Sequence, residues 1–578
     1  MEAAQGNPLF AEQLLAAFED HSLETIPASL QNLLAVRLDR LGPGERDLLR
    51  SAAVVGTNFT EDALTALVPD RARSFVDRHL QALEHKRFIA RGARTEFRFG
   101  HALIHQAAYQ SMTRQDRARL HHRFADWLEN EALDPPPEID EIAGYHLEQA
   151  VEQLRAIGRM DTVPALALRA GDHLATAGER AFGRFDITSA ENLLYRARSL
   201  LPVENPRRAR VTRVLAEAYQ VLGRHRPADE LLMELMTAAR AVGDSSWERS
   251  IRIERARIQI FTGPDPIALD SLEREASDAA RFFADAGDDG GVARASFALG
   301  YVHMRAGRID AMERALRISL SHANRSGQIR EQLAAQWVLA HAIRLGAMPV
   351  RDCIDACRAL LSFGETVHPG VLTELATLSA MLGEFEEARA LNERAHRLFV
   401  ERMRVRRPLM FLAQSKAAVG LLAGDLAAAE PELRTALDLA LEIGERDEIS
   451  RTASSLSLVL NAGARSEEAA NFAALGTRTA PSQSVAAQAL SRTAQAHQAA
   501  ARADHRVAAA LARQATNLAP SEMPNLRADL LVELAEVLRT ADHRHAAREA
   551  IGEAARLYER KGNLVAAGGV RQDAKPDP

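Results

Sequence analysis

Residues 215–235 read LAEAYQVLGRHRPADELLMEL and show most clearly the pattern that recurs along the chain. Apolar residues recur at helical spacing on both sides of Gly223. They are Leu215, Ala216 and Tyr219 before the glycine and Ala228, Leu232 and Leu235 after it. Small residues allow two helices to approach closely, and large ones fill the gaps between neighbouring pairs. The stretch therefore predicts two antiparallel helices joined by a turn at Gly223.

The same pattern recurs ten times along the chain. Its turn positions are Gly183, Gly223, Gly263, Gly307, Gly346, Gly383, Gly424, Gly463, Asp504 and Asp542. The spacing averages about 40 residues, and a period of this size is typical of a solenoid, because one helix pair cannot bury its apolar face alone. The pattern resembles the tetratricopeptide repeat, whose period is about 34 residues, so the extra residues are expected in longer helices or linkers.

The composition agrees with a helical fold. Hydrophobic residues make up 47% of the 578 residues and charged residues 26%, as in an ordinary folded chain, while aromatic residues reach only 5%. Such a composition favours Ala/Leu helix packing over aromatic-rich sheets. The two cysteines, Cys353 and Cys357, lie four residues apart in a helical stretch and are interpreted as buried structural thiols. The predicted fold is therefore predominantly all-α.

A different arrangement precedes the repeats. Residues 27–41 have one apolar helical face, further helices follow, and Thr60 is placed to cap one of them. Residues 87–91 and 95–99 then read as two short strands around Gly92-Ala93-Arg94. A helical bundle followed by one small β-hairpin is the winged-helix layout, and we expect that layout here.

These patterns divide the chain into five segments. The predicted segments are 1–26, the end of a helical lid; 27–131, a winged-helix-like domain; 132–137, a Pro-rich linker; 138–567, the solenoid of about ten helix pairs; and 568–578, a disordered tail. Three consecutive prolines, Pro135 to Pro137, cannot continue a helix and mark the linker. The glycines, prolines and charges after residue 567 suggest disorder in the tail.

Four stretches carry a resemblance to a known family. They are GNPLF at 6–10, IPASLQNLLAVRLDRL at 26–41, FGHALIHQAAY at 99–109 and AGERA at 177–181. They resemble the signal-transduction ATPases with numerous domains (STAND), in particular the bacterial branch that joins an adenylate cyclase or transcription activator to an ATPase core and a tetratricopeptide-like arm. The motifs are specific in the first 181 residues, whereas the later resemblance is general.

The resemblance implies roles for two residues. In the family the Gly-Asn-Pro segment closes over bound nucleotide, which implies that Pro8 lies near the base. The winged-helix histidine, here His101, is implied to sense the phosphates, and a position at a helix N-terminus is compatible with phosphate binding. The alternative from the residues alone is that His101 caps the helix or packs against it.

The chain shows no phosphate loop of the form Gly-x-x-x-x-Gly-Lys-Ser/Thr and no acidic pair after an apolar strand that could hold magnesium. We therefore expect a C-terminal portion of a longer design that is not itself an enzyme and has no cofactor of its own. ATP or ADP would bind only with a nucleotide-binding core supplied upstream, in cis or in trans. No metal site is predicted, because the paired histidines lack completing ligands.

A basic region raises a further possibility. Residues 71–123 contain twelve Lys or Arg against four Asp or Glu, in a chain whose formal net charge is −6. The possible contact patch consists of Lys86, Arg87, Arg91, Arg94 and Arg98. A basic winged helix can bind DNA mainly through phosphate contacts, but the same surface can instead dock on an acidic core or a nucleotide.

Three functional hypotheses follow. The first is a regulatory, protein-interaction module, in which the concave repeat surface senses a protein, peptide or small ligand and the winged helix relays that state to the core. The second is a fragment or subunit of an ATP-binding, adenylate cyclase-like enzyme, and the third is a DNA-binding transcriptional regulator. No stretch approaches the roughly 20 apolar residues of a membrane span, so no membrane association and a cytoplasmic location are expected.

Overall fold

A computed structural model describes residues 28–92, 96–130, 138–184, 186–262, 269–361, 368–400 and 406–573. Within these ranges the chain forms 29 helices and one small three-stranded sheet. The predicted all-α class with a tetratricopeptide-like solenoid is confirmed. The chain divides into two compact units, of which the first contains residues 1–180 and 192–211 and the second contains residues 181–191 and 212–578.

The first unit combines helices with the sheet. Its helices are α1 Ala28–Asp39, α2 Pro43–Val55, α3 Glu61–Leu67, α4 Asp70–Arg73, α5 Val76–His85, α6 Ala102–Gln110, α7 Arg114–Asn130 and α8 Ile139–Ala156. Its strands are β1 Asn58–Thr60, β2 Ile89–Arg91 and β3 Glu96–Phe99. The side chain of Thr60 accepts a hydrogen bond from the Ala63 backbone amide and caps α3, as predicted.

The predicted hairpin is present, with an additional strand beside it. The sheet order is β1-β3-β2 and both pairings are antiparallel, with Phe59 opposite Phe97 and Ala90 opposite Arg98. Arg87 has a φ of 59°, so β2 begins only at Ile89, two residues later than predicted. Strand β1 pairs with β3, which lies far along the chain, so no local hairpin signal reveals it.

Apolar side chains fill the core of the first unit. Leu49, Leu64 and Leu80 are fully buried, and Phe97 projects from the sheet into the same cluster. The ring of Phe97 stacks on Phe59 with a centroid distance of 6.0 Å. The sheet and the helices therefore bury one common apolar face.

Helix pairs build the second unit. Helices α9 Val163–Gly183, α10 Ile187–Leu200 and α11 Pro206–Val221 contribute residues to both units. The following helices are α12 His225–Val242, α13 Ser245–Thr262, α14 Leu269–Asp285, α15 Asp289–Arg305, α16 Ile309–Arg325, α17 Ile329–Leu345, α18 Val350–Leu361, α19 Gly370–Met381 and α20 Phe385–Leu398. The last are α21 Arg406–Leu422, α22 Leu426–Ile443, α23 Arg446–Ala462, α24 Ser466–Thr479, α25 Val485–Ala501, α26 His505–Leu518, α27 Pro524–Thr540, α28 Arg544–Lys561 and α29 Leu564–Asp573.

Long helices account for the long repeat period. Helices α15 and α16, on either side of Gly307, have 17 residues each, so two helices and two short turns fill a period of about 40. The turn at Asp504 differs from the prediction by one position. Ala503 takes the left-handed conformation with a φ of 62°, whereas Asp504 caps α26 by accepting a hydrogen bond from the Val507 amide. At Asp542 the aspartate itself is left-handed, with a φ of 58°.

Distant repeats of the second unit contact one another. The fully buried ammonium group of Lys561 donates hydrogen bonds to the carbonyl oxygens of Gly346 and Met348, at 2.6 and 2.7 Å. Likewise, the His225 ring lies 3.7 Å from a carboxylate oxygen of Glu445. Repeats about five positions apart in the sequence therefore lie side by side within this unit.

The end of the chain corrects the predicted tail. Residues 568–573 belong to α29 instead of being disordered, while residues 574–578 lie outside the described part. The side chain of Asn563 accepts a hydrogen bond from the Ala566 amide, and Ala567 and Val570 are buried against α27 and α28. This burial offsets the low helix propensity of Gly568 and Gly569.

The cysteines are buried, as predicted. Cys353 and Cys357 are both free thiols with no exposed surface. Burial raises the pKa of Cys357 to about 12, so the thiol stays protonated. Among the described residues, no helix combines the length and apolar character needed to cross a membrane.

Candidate ligand-binding site

His101, the proposed nucleotide sensor, begins helix α6. Its Nδ1 atom accepts a hydrogen bond from the Leu103 backbone amide at 3.1 Å, so the side chain caps the helix. The cap requires an unprotonated Nδ1 and uses one of the amides that a phosphate would need. Pro8, the other implied nucleotide contact, lies outside the described residues. The nucleotide-sensing role of both residues stays a prediction.

The structure describes four of the five residues of the predicted basic patch. Lys86 Nζ lies 2.5 Å from Glu45 Oε2, and Arg91 Nε lies 3.6 Å from Glu84 Oε2. Arg98 is exposed on β3, whereas Arg94 lies outside the described residues. Two cations of the patch are thus already paired with carboxylates, which reduces the positive charge available to a phosphate backbone.

The second unit contains a cavity of about 200 Å³. Roughly seven water molecules would fit in such a volume at liquid density. It is lined by the first helix of successive repeats, which place charged and aromatic side chains one turn apart on the same face. The main contributors are Glu217 and Gln220 on α11, Glu254 and Arg257 on α13, Arg294 and Phe297 on α15, and Arg330 and Trp337 on α17.

One wall of the cavity is aromatic. The Trp337 ring stacks on His368 with a centroid distance of 4.8 Å and an interplanar angle of 5°, and it meets the edge of Phe411 at 4.9 Å. His368 Nδ1 accepts a hydrogen bond from the Gly370 amide. Burial lowers the pKa of His368 to about 3, so the stacked imidazole is neutral.

A buried ion pair borders this wall. Arg407 Nε lies 2.5 Å from Glu445 Oε1, and the guanidinium lies over the Phe411 ring at 5.1 Å. Burial alone would raise the pKa of Glu445, but the charge of Arg407, assisted by His225, outweighs it and lowers the pKa to about 2. Glu445 is therefore ionised although its side chain is only 1% exposed.

A second charged group lies on α11, α13 and α17. Arg330 pairs with Glu217 and with Glu331, and Arg213 lies within 3.8 Å of Glu217 and 3.7 Å of Glu254. Charged side chains are seldom buried in such numbers without a ligand or a structural need for pairing. The cavity can thus offer hydrogen-bond donors, acceptors and an aromatic surface to a polar ligand.

The apolar repeat pattern does not reveal this cavity, because its lining residues extend from Phe182 to Glu445. One local signal was present. Glu254 and Arg257 interrupt an isoleucine-rich helical stretch in which Ile251, Ile253 and Ile258 are buried. Charges within an otherwise buried helical face indicate a site that the apolar pattern does not explain.

A separate polar cluster involves His497, Glu533 and Glu536, whose potential ligand atoms all lie within 4.8 Å of one another. His497 Nε2 is 2.6 Å from Glu533 Oε2. Burial opposes protonation of His497, but this carboxylate raises its pKa above the ordinary value. A histidine ligates a metal only in its neutral form, and the nearby carboxylate stabilises the protonated form, so the 2.6 Å contact favours an ion pair over a metal site.

No protein-family model matches the chain. An uncharacterised protein of Rhizobium meliloti (strain 1021) is 31% identical in an alignment of 163 residues that covers 26% of this chain. The chain spans only 15% of the length of that relative. This similarity is too partial to assign the chain to a family.

Several solved structures share the helical-repeat fold. A STAND protein with a tetratricopeptide repeat sensor from Pyrococcus horikoshii is 12% identical, with 79% of this chain and 66% of that chain covered and a TM-score of 0.32. Yeast Tom70 is 12% identical, with 78% and 96% covered and a TM-score of 0.31. A Rap protein complexed with competence and sporulation factor is 14% identical, with 68% and 99% covered and a TM-score of 0.35. These similarities concern the fold alone.

Proposed function

We propose that this chain is a regulatory module of a STAND-type signalling protein, in which the tetratricopeptide-like unit senses a ligand. The first unit, with its winged-helix-like arrangement, relays the ligand-bound state to a nucleotide-binding core supplied in cis or in trans. The repeat unit can also present its surface to a protein partner. The observation that carries the proposal is the charged and aromatic cavity lined by α11, α13, α15 and α17.

The cavity supports a sensing role through its construction. Its walls come from parts of the chain that are far apart in the sequence. His225 and Glu445, for example, lie 3.7 Å apart. A ligand that contacts several walls at once binds one arrangement of the repeats more tightly than others and thereby shifts their equilibrium. Ligand binding would thus change the arrangement of the repeats, which is the change that a sensing arm has to transmit.

The STAND part of the proposal rests on the sequence resemblance, and it includes the nucleotide-sensing roles of Pro8 and His101. In this proposal the chain binds and transmits but does not hydrolyse nucleotide. ATP and ADP titrated into the purified chain should give no turnover. Turnover that survives further purification would contradict the non-enzymatic proposal and favour the cyclase-like alternative.

The cavity is tested with a variant that fills it. Ala334 lines the cavity on α17 and is partly exposed, so Ala334→Phe should occupy the ligand volume at a small cost in stability. Libraries of metabolites, peptides and nucleotides are screened by thermal shift on the wild type and on this variant. We expect stabilisation of the wild type alone, because a ligand bound to the native state raises its stability.

A chain with Trp127→Phe and Trp247→Phe retains Trp337 as its single tryptophan. Because Trp337 lines the cavity, its fluorescence should change with each ligand that the screen detects. Stabilisation that persists in Ala334→Phe and leaves Trp337 fluorescence unchanged would place the binding site elsewhere and overturn the proposal. The absence of any stabilising ligand in the libraries would also count against it.

A further inference from the structure

Helix α13 presents two opposite charges one turn apart, Glu254 and Arg257, and both side chains line the cavity. They are not within ion-pairing distance of each other in the described structure. Arg407 and Glu445 of the same cavity are in direct contact at 2.5 Å, whereas Glu254 has only a longer contact of 3.7 Å with Arg213. The charges on α13 therefore require a separate explanation, which rests on the proposed ligand-binding function.

Glu254 is a buried carboxylate without a hydrogen-bond donor among the described residues. The residue is 4% exposed, and both carboxylate oxygens are shielded from solvent. The nearest cationic atom is Nη1 of Arg213 at 3.7 Å, which is longer than a hydrogen bond. A buried carboxylate in this state is costly unless donors reach it, and a cationic group in the cavity can supply them.

Arg257 and Arg294 show the opposite deficiency. Arg257 donates to the Gln220 side-chain oxygen and lies over the Phe297 ring at 5.8 Å. Arg294 Nη1 donates to Gln328 Oε1 at 3.2 Å, so the hydrogen-bond acceptors of both guanidinium groups are neutral amides. Across the described residues, neither guanidinium has a carboxylate oxygen within 4.0 Å. The Nε atom of Arg294 and the Nε2 atom of Gln220 are also buried without an acceptor there. Together these groups can donate hydrogen bonds to an anion in the cavity.

We propose that the cavity binds a small zwitterion with an ammonium group and a carboxylate group, either an amino acid or a short peptide with free ends. The ammonium group lies at Glu254, and the carboxylate lies between Arg257 and Arg294, where Gln220 donates an additional hydrogen bond. The apolar part of the ligand packs on the aromatic wall at Phe297 and Trp337.

Charge balance distinguishes this ligand from others. A polyanion would bring negative charge close to Glu217 and Glu254, whereas a simple amine would leave Arg257 and Arg294 without a carboxylate in direct contact. Desolvated like charges and unpaired charges both oppose binding. A zwitterion satisfies both groups and leaves the net charge of the cavity unchanged.

The test uses the full chain with Trp337 as its single tryptophan. The probes are the twenty free amino acids, tested individually, and a tripeptide library with free ends. The same library is also prepared in N-acetylated form and in C-amidated form. Binding of single amino acids identifies the smaller source of the zwitterion, and binding of tripeptides alone identifies the larger one.

We expect at least one free-ended probe to change Trp337 fluorescence. N-acetylation or C-amidation of that probe should each weaken its binding by about tenfold or more, since each removes a charge-assisted hydrogen bond. The variants assign each end to its residue. Glu254→Gln should weaken binding of the free-ended probe, and binding to this variant should no longer depend on N-acetylation. Arg257→Gln should likewise become insensitive to C-amidation. The exposed pair on α12 supplies matched controls, Glu230→Gln and Arg226→Gln, which should leave both sensitivities unchanged.

Two results would overturn the inference. In the first, a ligand of another class binds, Ala334→Phe abolishes its binding, and free-ended and blocked peptides bind equally well or not at all. The cavity is then a ligand site, but not one for a zwitterion. If no class of ligand binds in a manner sensitive to Ala334→Phe, the proposed function fails together with the inference. Circular dichroism and unfolding midpoints of the variants separate a lost contact from a lost fold.

Discussion

The first unit buries leucine and phenylalanine side chains around a small sheet, whereas the described part of the second unit buries eight charged side chains between its helices. Those eight are Glu217, Glu254, Arg305, Glu374, Glu445, Asp447, Glu448 and Lys561. Among the described residues of the first unit, the buried polar side chains are Ser51, His121, His146 and Gln153, none of them a carboxylate, a lysine or an arginine. The same chain thus has two kinds of interior.

The two interiors differ in how much their burial stabilises the fold. Apolar burial stabilises a fold in proportion to the area removed from water, at about 25 cal/mol per Å². A buried ion pair at best offsets its own desolvation. The first unit therefore resembles an ordinary folding core, whereas the second unit retains buried charges that apolar burial does not explain.

The largest expected effect is on the buried ion pair. Arg407→Met leaves the Glu445 carboxylate 1% exposed, with His225 at 3.7 Å as a weaker partner. We expect a loss of about 4 kcal/mol in the free energy of unfolding, because an isolated buried charge remains. Urea unfolding is followed by fluorescence of Trp337 as the single tryptophan.

The double variant Arg407→Met, Glu445→Leu is the control for this loss. Two apolar side chains then replace the pair, and most of the stability should return. A double variant no more stable than Arg407→Met alone would show that packing, and not the unpaired charge, causes the loss.

A smaller loss is expected in the apolar core of the first unit. Leu64 has no exposed surface, so Leu64→Ala should cost about 3 kcal/mol through lost burial and a residual cavity. Trp127, retained alone through Trp247→Phe and Trp337→Phe, reports on this unit. Leu64→Met keeps the volume and should cost less than about 1.5 kcal/mol. Equal losses for both variants would contradict a close-packed core.

The next expected effect is a loss of stability of the first unit at low pH, caused by a pair of buried histidines. In the first unit, His121 Nδ1 lies 2.8 Å from His146 Nδ1, and Tyr109 Oη lies 2.9 Å from His121 Nε2. Burial lowers the pKa of His121 to about 3, with a further contribution from His146, and burial lowers the pKa of His146 to about 4. Both histidines are therefore neutral in the folded unit at neutral pH.

The direction of the pH effect follows from these shifts. The unfolded chain takes up protons near pH 6.5 and the folded pair only near pH 3 to 4, so stability is full above pH 6.5 and falls as the pH decreases. Between about pH 7 and 5.5 the pair should lose roughly 2 kcal/mol. Urea unfolding at the two pH values, followed by Trp127 fluorescence, measures this loss.

Replacement of both histidines by glutamine should remove most of this acid sensitivity. In the second unit, His368 contributes one such group, with a pKa lowered to about 3. The carboxylates Glu374 and Glu445 have pKa values lowered to about 2, so their stabilisation is lost only as the pH falls below 4.5. An unchanged acid response after replacement would exclude the histidine pair as its source.

Sequence periodicity predicted the solenoid because every repeat has to bury an apolar stripe against its neighbour, and the same local pattern therefore recurs along the chain. It predicted β2 and β3 for a similar reason, since alternation is local. It missed β1, whose three residues depend on pairing with β3, and the helical end of the chain, where Ala567 and Val570 gain burial from other helices. The missed features depend on tertiary contacts.

The cavity was missed for the same reason at a larger scale. The proximity of His225 and Glu445 depends on the contact of repeats about five positions apart, and no local pattern encodes it. The STAND motifs instead directed attention to His101, which caps a helix in the first unit. The one local sign was the presence of Glu254 and Arg257 within a run of isoleucines, because packing alone does not explain charged residues on a buried helical face.

The smallest expected effect concerns an exposed ion pair of the second unit. Arg226 Nε lies 3.2 Å from Glu230 Oε1 on α12, with side chains 91% and 66% exposed. A double-mutant cycle with Arg226→Gln and Glu230→Gln should give a coupling free energy below about 0.5 kcal/mol, and about 1 M salt should remove it. Its distance is longer than that of the Arg407 pair by less than 1 Å, so burial is the main difference between the two pairs. A coupling at Arg226 as large as the loss in Arg407→Met would show that charge pairing stabilises this unit wherever it occurs. The buried charges would then be structural elements, and the case for a ligand that completes them at Glu254 and Arg257 would weaken accordingly.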